Sequence, residues 1–412
     1  MNDHLFVWFY PPHGHEPQLC GRLDLIGGRQ CLFAYAREYL SRQDAIALCP
    51  DLPLRDGQYA APVGLELHPV LEDAGPDRWG RRVIDRAFNP RRRAAIDYLA
   101  LAGEDRIGAL GFSASDEIYQ VNDAPPFHRG DLPSLIEAAR AVELQLPIDD
   151  RLRQLLRPGG TAGGARPKAV IEDDGSAWIA KFPAEGDDVD FCAIEHASLR
   201  LARECGIEAP ESRLVQLGCS HTLLVKRFDR EPGGGRIHFA SARTMLLGDG
   251  IPEEQMAYAD VAEFARRFSP TPAEDSLQVF RRMVLNILIE NTDDHAKNHA
   301  FLHQGADRWR LSPVYDVQPQ LQGIQYQQLI VGDEGTDPTL TNALSQAGRF
   351  MLTPAEAYLE VERLLDTVSG WREVFRESGV SERDIRELEP FILRDSVLPP
   401  PPTRRRSERS TG

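Results

Sequence analysis

The 412-residue chain lacks a long apolar run. Its first apolar stretch, Leu5 to Tyr10, has no basic flank and is too short for a secretory leader or a membrane span. Secretion is therefore not expected, nor is a membrane partner. Positive charge is also scarce, with 47 Lys plus Arg against 63 Asp plus Glu. The resulting net charge of -16 argues against broad contact with nucleic acid or anionic lipid, so any DNA binding needs a local patch or a basic partner. The six cysteines are scattered and form no C-x-x-C, which suggests buried thiols in a cytoplasmic enzyme. Cys192, His196, Cys205, Cys219 and His221 match no common zinc spacing. A Walker A motif and a clean G-x-G-x-x-G are both missing.

What is present centres on Asn291-Thr292-Asp293-Asp294-His295-Ala296-Lys297-Asn298, a polar octet that follows a strongly apolar helical pattern. Asp293 and Asn298 stand five apart, the spacing of a protein-kinase catalytic loop, in which the Asp accepts a hydroxyl proton and the Asn holds a metal ion. A capped turn could mimic that spacing. Asp316 follows in Pro313-Val314-Tyr315-Asp316, after a hairpin read at His299–Leu302 and Trp309–Leu311, and suits a second ligand for Mg2+. Upstream, Pro158 to Ala165 packs four glycines into eight residues before two short strands, so backbone N–H groups could approach phosphate; a plain surface loop is the competing reading. Lys181 ends the second strand. Helical periodicity over Val189–Glu204 then places Glu195 on a stripe with Cys192, Leu199 and Ala202. A carboxylate among apolar residues is costly unless paired, and Lys181 is its natural partner, although a Glu at the edge of the stripe could reach water.

Leu223-Leu224-Val225 reads as a buried strand leading into Lys226-Arg227-Phe228-Asp229-Arg230, where a two-lobed kinase has its connector. Core helices follow, with Val261, Phe264, Ala265 and Phe268 on one stripe and Leu277, Phe280, Val284, Ile287 and Leu288 on the next. Thr353-Pro354-Ala355-Glu356 is a capping box, and Tyr358, Val361, Leu365 and Val368 form the stripe expected to be buried after it.

Taken in order, these segments resemble the HipA family of serine/threonine kinase toxins. The resemblance extends to the first part of the chain through Phe33-Ala34-Tyr35, the run from Leu71 to Gly80, and Asp105-Arg106-Ile107-Gly108-Ala109-Leu110. It implies an α+β chain with a two-lobed protein-kinase-like fold, a small N-terminal α/β subdomain and a mostly helical C-terminal lobe. The expected divisions are a subdomain at 1–125, the kinase N-lobe at 126–230, the helical lobe at 231–398 and a disordered tail at 399–412. It further implies ATP and Mg2+ as cofactors and Asp293 as the base. Asn298 and Asp316 are the implied metal ligands, and Lys181 the implied contact to ATP phosphate. Gly160, Thr161, Ala162, Gly163 and Gly164 form the implied phosphate loop, main-chain groups of Lys226 and Phe228 hold adenine, and His295 and Lys297 shape the loop or reach phosphate.

Thr161 falls where family members carry an autophosphorylated loop residue, there more often Ser. The implied partners are a protein substrate such as an aminoacyl-tRNA synthetase and a HipB-like helix-turn-helix antitoxin, which would contact DNA on the acidic chain's behalf. A small-molecule phosphotransferase of the same fold, and a scaffold for antitoxin and DNA without kinase activity, are the alternatives.

Overall fold

The computed structural model describes residues 3–12, 16–120, 125–147, 164–218, 220–231 and 233–398. Strands β1 (His4–Phe9), β2 (Gln18–Ile26), β3 (Gln30–Tyr35), β4 (Tyr59–Ala60) and β5 (Leu110–Ser113) form one antiparallel sheet in the order β4-β3-β2-β1-β5. Alternation sets its inner face, because Leu5, Val7 and Phe9 on β1 and Cys31, Phe33 and Tyr35 on β3 are all buried. Arg106, just before β5, is buried as well. Its guanidinium donates to the carbonyls of Ala74, Leu99 and Ala102, satisfying acceptors at the C-terminal ends of two helices.

Strands β6 (Lys168–Asp173), β7 (Ser176–Lys181), β8 (Ser212–Leu217) and β9 (Ser220–Lys226) form a second antiparallel sheet in the order β6-β7-β9-β8. Both of its faces are covered. Trp178, Ala180 and Leu224 pack with Leu135, Ala138 and Val142 of the helix Leu132–Glu143 and with Val83 of the helix Arg78–Phe88. Leu223 and Val225 join the core to which the helix Phe191–Glu204 contributes Cys192, Leu199 and Ala202. A strand buried on both faces reads as a continuous apolar run, which is the Leu223-Leu224-Val225 pattern.

The remainder is mostly helical. Helices Tyr258–Phe268 and Pro272–Leu288 pack side by side, with β10 (Phe239–Ser241), β11 (Ala300–His303) and β12 (Trp309–Leu311) as a three-stranded sheet beside the octet. The helix Pro354–Ser369 starts at the capping box, with Thr353 and Glu356 each bonding the other's backbone N–H. Its buried stripe differs from the expectation. Ala357, Val361, Leu364 and Val368 are buried, whereas Tyr358 is 50% exposed and Leu365 only half-buried. A small Ala allows a close helix approach, so the helix turns one residue away from the register its bulkiest apolar side chains suggest. The architecture is α+β with a two-lobed kinase-like core.

The thiols of Cys20, Cys31, Cys49, Cys192 and Cys205 are free and buried. The imagined zinc ligands do not converge among the described residues: His196 bonds Ser212, His221 pairs with Asp190 and Cys192 donates to the carbonyl of Lys181. Cys219 lies outside the described residues. Cys49, Asp51 and His68 do come together. There the imidazole Nε2 lies 3.0 Å from the Asp51 carboxylate while its Nδ1 accepts from the backbone of Val70, so both ring nitrogens are already engaged. Among the described residues no helix is long and apolar enough to cross a membrane.

Candidate active site

Strand β7 ends with Lys181 turned toward the helix Phe191–Glu204, and the two meet. The ammonium Nζ lies 2.6 Å from Glu195 Oε1 and 3.1 Å from Asp316 Oδ1. Burial alone would pull the Lys181 pKa down, but the two carboxylates outweigh it and hold the ammonium above its ordinary value. Asp316 shows the converse balance: burial pushes its carboxyl up, and the Lys181 and then the Lys168 charge bring it below the usual carboxylate range. The backbone of Asp316 is left-handed, with φ at +57°. For a non-glycine residue this conformation costs about 1 kcal/mol or more, and such strain collects where side-chain direction matters.

The connector after β9 is clamped to the N-terminal subdomain. Asp229, fully buried, accepts from the guanidinium groups of Arg227 and Arg230 and from the backbone N–H of Gly108. Arg227 and Arg230 also donate to the carbonyl of Arg106. Gly108 has φ at +75°, and a Cβ there would sit 3.0 Å from Phe239 Cβ, so the close approach suits glycine. The clamp brings Ile107 to the wall of a pocket that also includes Val225, Phe228 and Tyr315, with Lys181, Glu195 and Asp316 at the same pocket. The N–H of Lys226 is already donated to Glu211 O at 2.8 Å, whereas that of Phe228 has no backbone acceptor among the described residues.

In the octet, Asp293 and Asp294 part company. Asp294 is buried and receives Tyr258 Oη at 2.7 Å, Asn286 Nδ2 at 2.7 Å and His299 Nε2 at 2.8 Å. Asp293 is exposed and bonds none of them. Partial burial pushes the Asp293 carboxyl above its ordinary value, against the pull of His295 and with help from Asp316 and Asp294. Asn298 Nδ2 donates to the Asp293 carbonyl at 3.4 Å, and Tyr315 Oη donates to the Lys297 carbonyl at 2.6 Å, tying the segment that carries Asp316 to the loop. The amide oxygen of Asn298 and Oδ2 of Asp316 accept no hydrogen bond among the described residues. Hard oxygen donors of this kind fit Mg2+, which takes few protein ligands.

Lys297, expected to shape the loop or reach phosphate, meets a carboxylate of the N-terminal subdomain. Its Nζ lies 3.7 Å from Glu72 Oε1 and lines a cleft separate from the pocket at Lys181. His295 is half-buried and its Nδ1 has no partner among the described residues. Gly164 is described, with φ at +109°. Gly160, Thr161, Ala162 and Gly163, like the tail 399–412, lie outside the described residues.

Residues 160–371 match the model of the HipA-like C-terminal domain and residues 16–113 that of the HipA N-terminal domain. The chain belongs to the HipA family. Among relatives, this HipA-family chain is 26% identical over 311 residues to a Sinorhizobium fredii protein named "Putative kinase Y4dM", covering 69% of this chain and 71% of that one. A Haemophilus influenzae protein with a similar kinase name is 27% identical over 134 residues, 30% of this chain and 39% of that one. The HipA of Shewanella oneidensis MR-1, solved with HipB and operator DNA, superposes with a TM-score of 0.69 at 16% identity and covers 94% of each chain. That likeness shows the fold, and the kinase-named relatives agree with it.

The HipA-family site also contains residues that the sequence pattern did not single out. Lys168 is paired across the strands with Lys181, lines the same pocket and bonds Asp77 Oδ2 at 2.9 Å. The available signal was its place at the start of β6, four residues after the last glycine of the loop. Ile107 and Asp229 sat inside quoted motifs, but their roles depend on contacts more than 100 residues apart in the chain.

Proposed function

We propose that the chain is an ATP- and Mg2+-dependent serine/threonine protein kinase that acts as the toxin of a toxin-antitoxin pair in the cytoplasm. The observation that carries this reading is Lys181 held between Glu195 and Asp316, with Asp293 left free on the adjoining loop. In the proposed reaction, Asp293 accepts the proton of a substrate hydroxyl as its oxygen attacks the γ-phosphorus and the bond to the β-phosphate oxygen breaks. Lys181 orients phosphate oxygens, and the Phe228 N–H and the Lys226 main-chain carbonyl receive adenine. Asn298 and Asp316 would hold Mg2+, which when bound supplies charge neutralisation on the phosphates. A HipB-like antitoxin is the proposed partner and would make the DNA contacts. Thr161 is the proposed autophosphorylation site, and an aminoacyl-tRNA synthetase is one proposed substrate.

The test is incubation of the purified chain with γ-labelled ATP and protein extracts. Label on protein that falls by about 10²–10⁴-fold in Asp293→Asn, with nucleotide binding retained, is the expected outcome. Label confined to small molecules would overturn it in favour of a small-molecule phosphotransferase.

A further inference from the structure

A second cleft, of about 450 Å³, opens between the N-terminal subdomain and the octet. The helix Arg78–Phe88 contributes Arg78, Arg81 and Arg82 to it, Tyr98 and Phe239 contribute aromatic surface, and Lys297 enters from the catalytic loop. Lys297 stands four residues after Asp293 and immediately before Asn298, so the cleft adjoins the proposed reaction centre.

The charges in this cleft are unevenly matched. Each lining carboxylate is engaged within the protein. Glu72 pairs with Arg243 and Lys297, and Asp73 accepts from Ser241 and Thr244. Asp77 pairs with Lys168 and caps Gly80, while Asp85 accepts from Tyr98 and pairs with Arg93. The three arginines are not so engaged: among the described residues none of Arg78, Arg81 and Arg82 forms an ion pair. Arg81 lies over the ring of Tyr98 at 5.0 Å and Arg82 over that of Trp79 at 5.5 Å, contacts that orient the guanidinium groups without an ion pair. Arg78 with Arg81, and Arg78 with Arg82, are spaced to share a helix face, where like charges repel. On a chain of net charge -16, three arginines without an ion pair gathered at one helix face stand ready for an anionic partner.

We propose that this cleft docks an acidic segment of the protein substrate, with Arg78, Arg81 and Arg82 pairing its carboxylates and Lys297 marking the end nearest the phosphoacceptor hydroxyl. The inference rests on the protein-kinase reading above and adds to it a substrate class. Guanidinium groups bind carboxylates bidentately, and the aromatic surface accommodates the stems of Glu side chains. The overall acidity of the chain repels an acidic substrate elsewhere, so attraction is confined to this cleft.

The test is a binding measurement that needs no turnover. A fluorescent Glu-rich peptide with Ala at the acceptor position is titrated with the full chain by anisotropy, beside Gln-rich and Lys-rich peptides and a short RNA. The acidic peptide is expected to bind most tightly, to weaken with salt, and to lose about tenfold or more in affinity in the triple variant R78E/R81E/R82E. The variant R78K/R81K/R82K should recover part of that loss, and binding of a nucleotide analogue to each variant reports that the fold survives. Equal binding of acidic and neutral peptides, an undiminished affinity in the Glu variant, or preference for the RNA would each overturn the proposal. Acidic-peptide binding together with no ATP label on any protein would instead bring down the kinase reading, which separates the two failures.

Discussion

Adjacent carboxylates in the octet have opposite surroundings, and their variants should fail in opposite ways. Asp294 gathers three buried donors, so Asp294→Ala leaves Tyr258, Asn286 and His299 without their acceptor. A loss of about 3–5 kcal/mol is expected, read as a lowered Tm with activity falling only as far as the folded fraction does. Asp293→Asn touches no such network and should shift stability by less than about 0.5 kcal/mol while removing phosphoryl transfer. A thermal melt of each variant beside its label incorporation checks the pair. If Asp294→Ala melted like the wild type, the structural role given to it would be wrong. Spacing alone pointed to Asp293 by its distance from Asn298, but burial is what distinguishes it from its neighbour. Glu195 was legible earlier still, because helical periodicity put a carboxylate on an apolar stripe and its burial cost demanded a cation.

Elements, in this chain, are joined by motifs whose two halves lie far apart. The clamp of Arg227, Asp229 and Arg230 on Arg106 and Gly108 connects the segment after β9 to the segment before β5. Asp229→Asn should strand Arg227, which is buried, and cost about 3–5 kcal/mol. Because Ile107 and Phe228 wall the same pocket, nucleotide affinity should fall along with stability. Isothermal titration with an ATP analogue below the melting range tests this, and unchanged affinity would show that the clamp does not register the pocket. The capping box at Thr353 was fully readable because its partners are three residues apart. The face that the same helix buries was not, since helix rotation is chosen by the neighbour it packs on and Ala357 permits closer contact than Tyr358.

At the scale of the whole molecule, His238 reports how the subdomain and the helical lobe are welded. It is 3% exposed, lies against the rings of Phe9, His303 and Trp309, and engages the carbonyl of Leu48. Burial pushes its pKa from 6.5 down to about 3. Between those values the unfolded chain binds a proton that the native chain refuses, so stability rises with pH across the window and is lost as pH falls from 6.5 toward 3. From about pH 7 to about pH 5 this one group should remove about 2 kcal/mol. Urea unfolding of wild type and His238→Gln at both values measures it, and equal slopes with pH would exclude the histidine as the cause.

Local order in the sequence determined a good deal by itself: the strands and helices around the site, the inward Glu195, the capping box, and the succession of glycine loop, lysine, connector, octet and Asp316 that a two-lobed kinase requires. These are signals carried by residues close together, where periodicity, capping and turn chemistry act within a few positions. Tertiary structure alone decided that Asp294 is buried and Asp293 open, that Lys168 joins Lys181 at the pocket, and that Lys297 turns to Glu72. It also decided that the N-terminal subdomain supplies Ile107 to one cleft and three arginines to another. Those outcomes depend on burial and on charges meeting across large sequence separations, and neither is written in the spacing of residues along the chain.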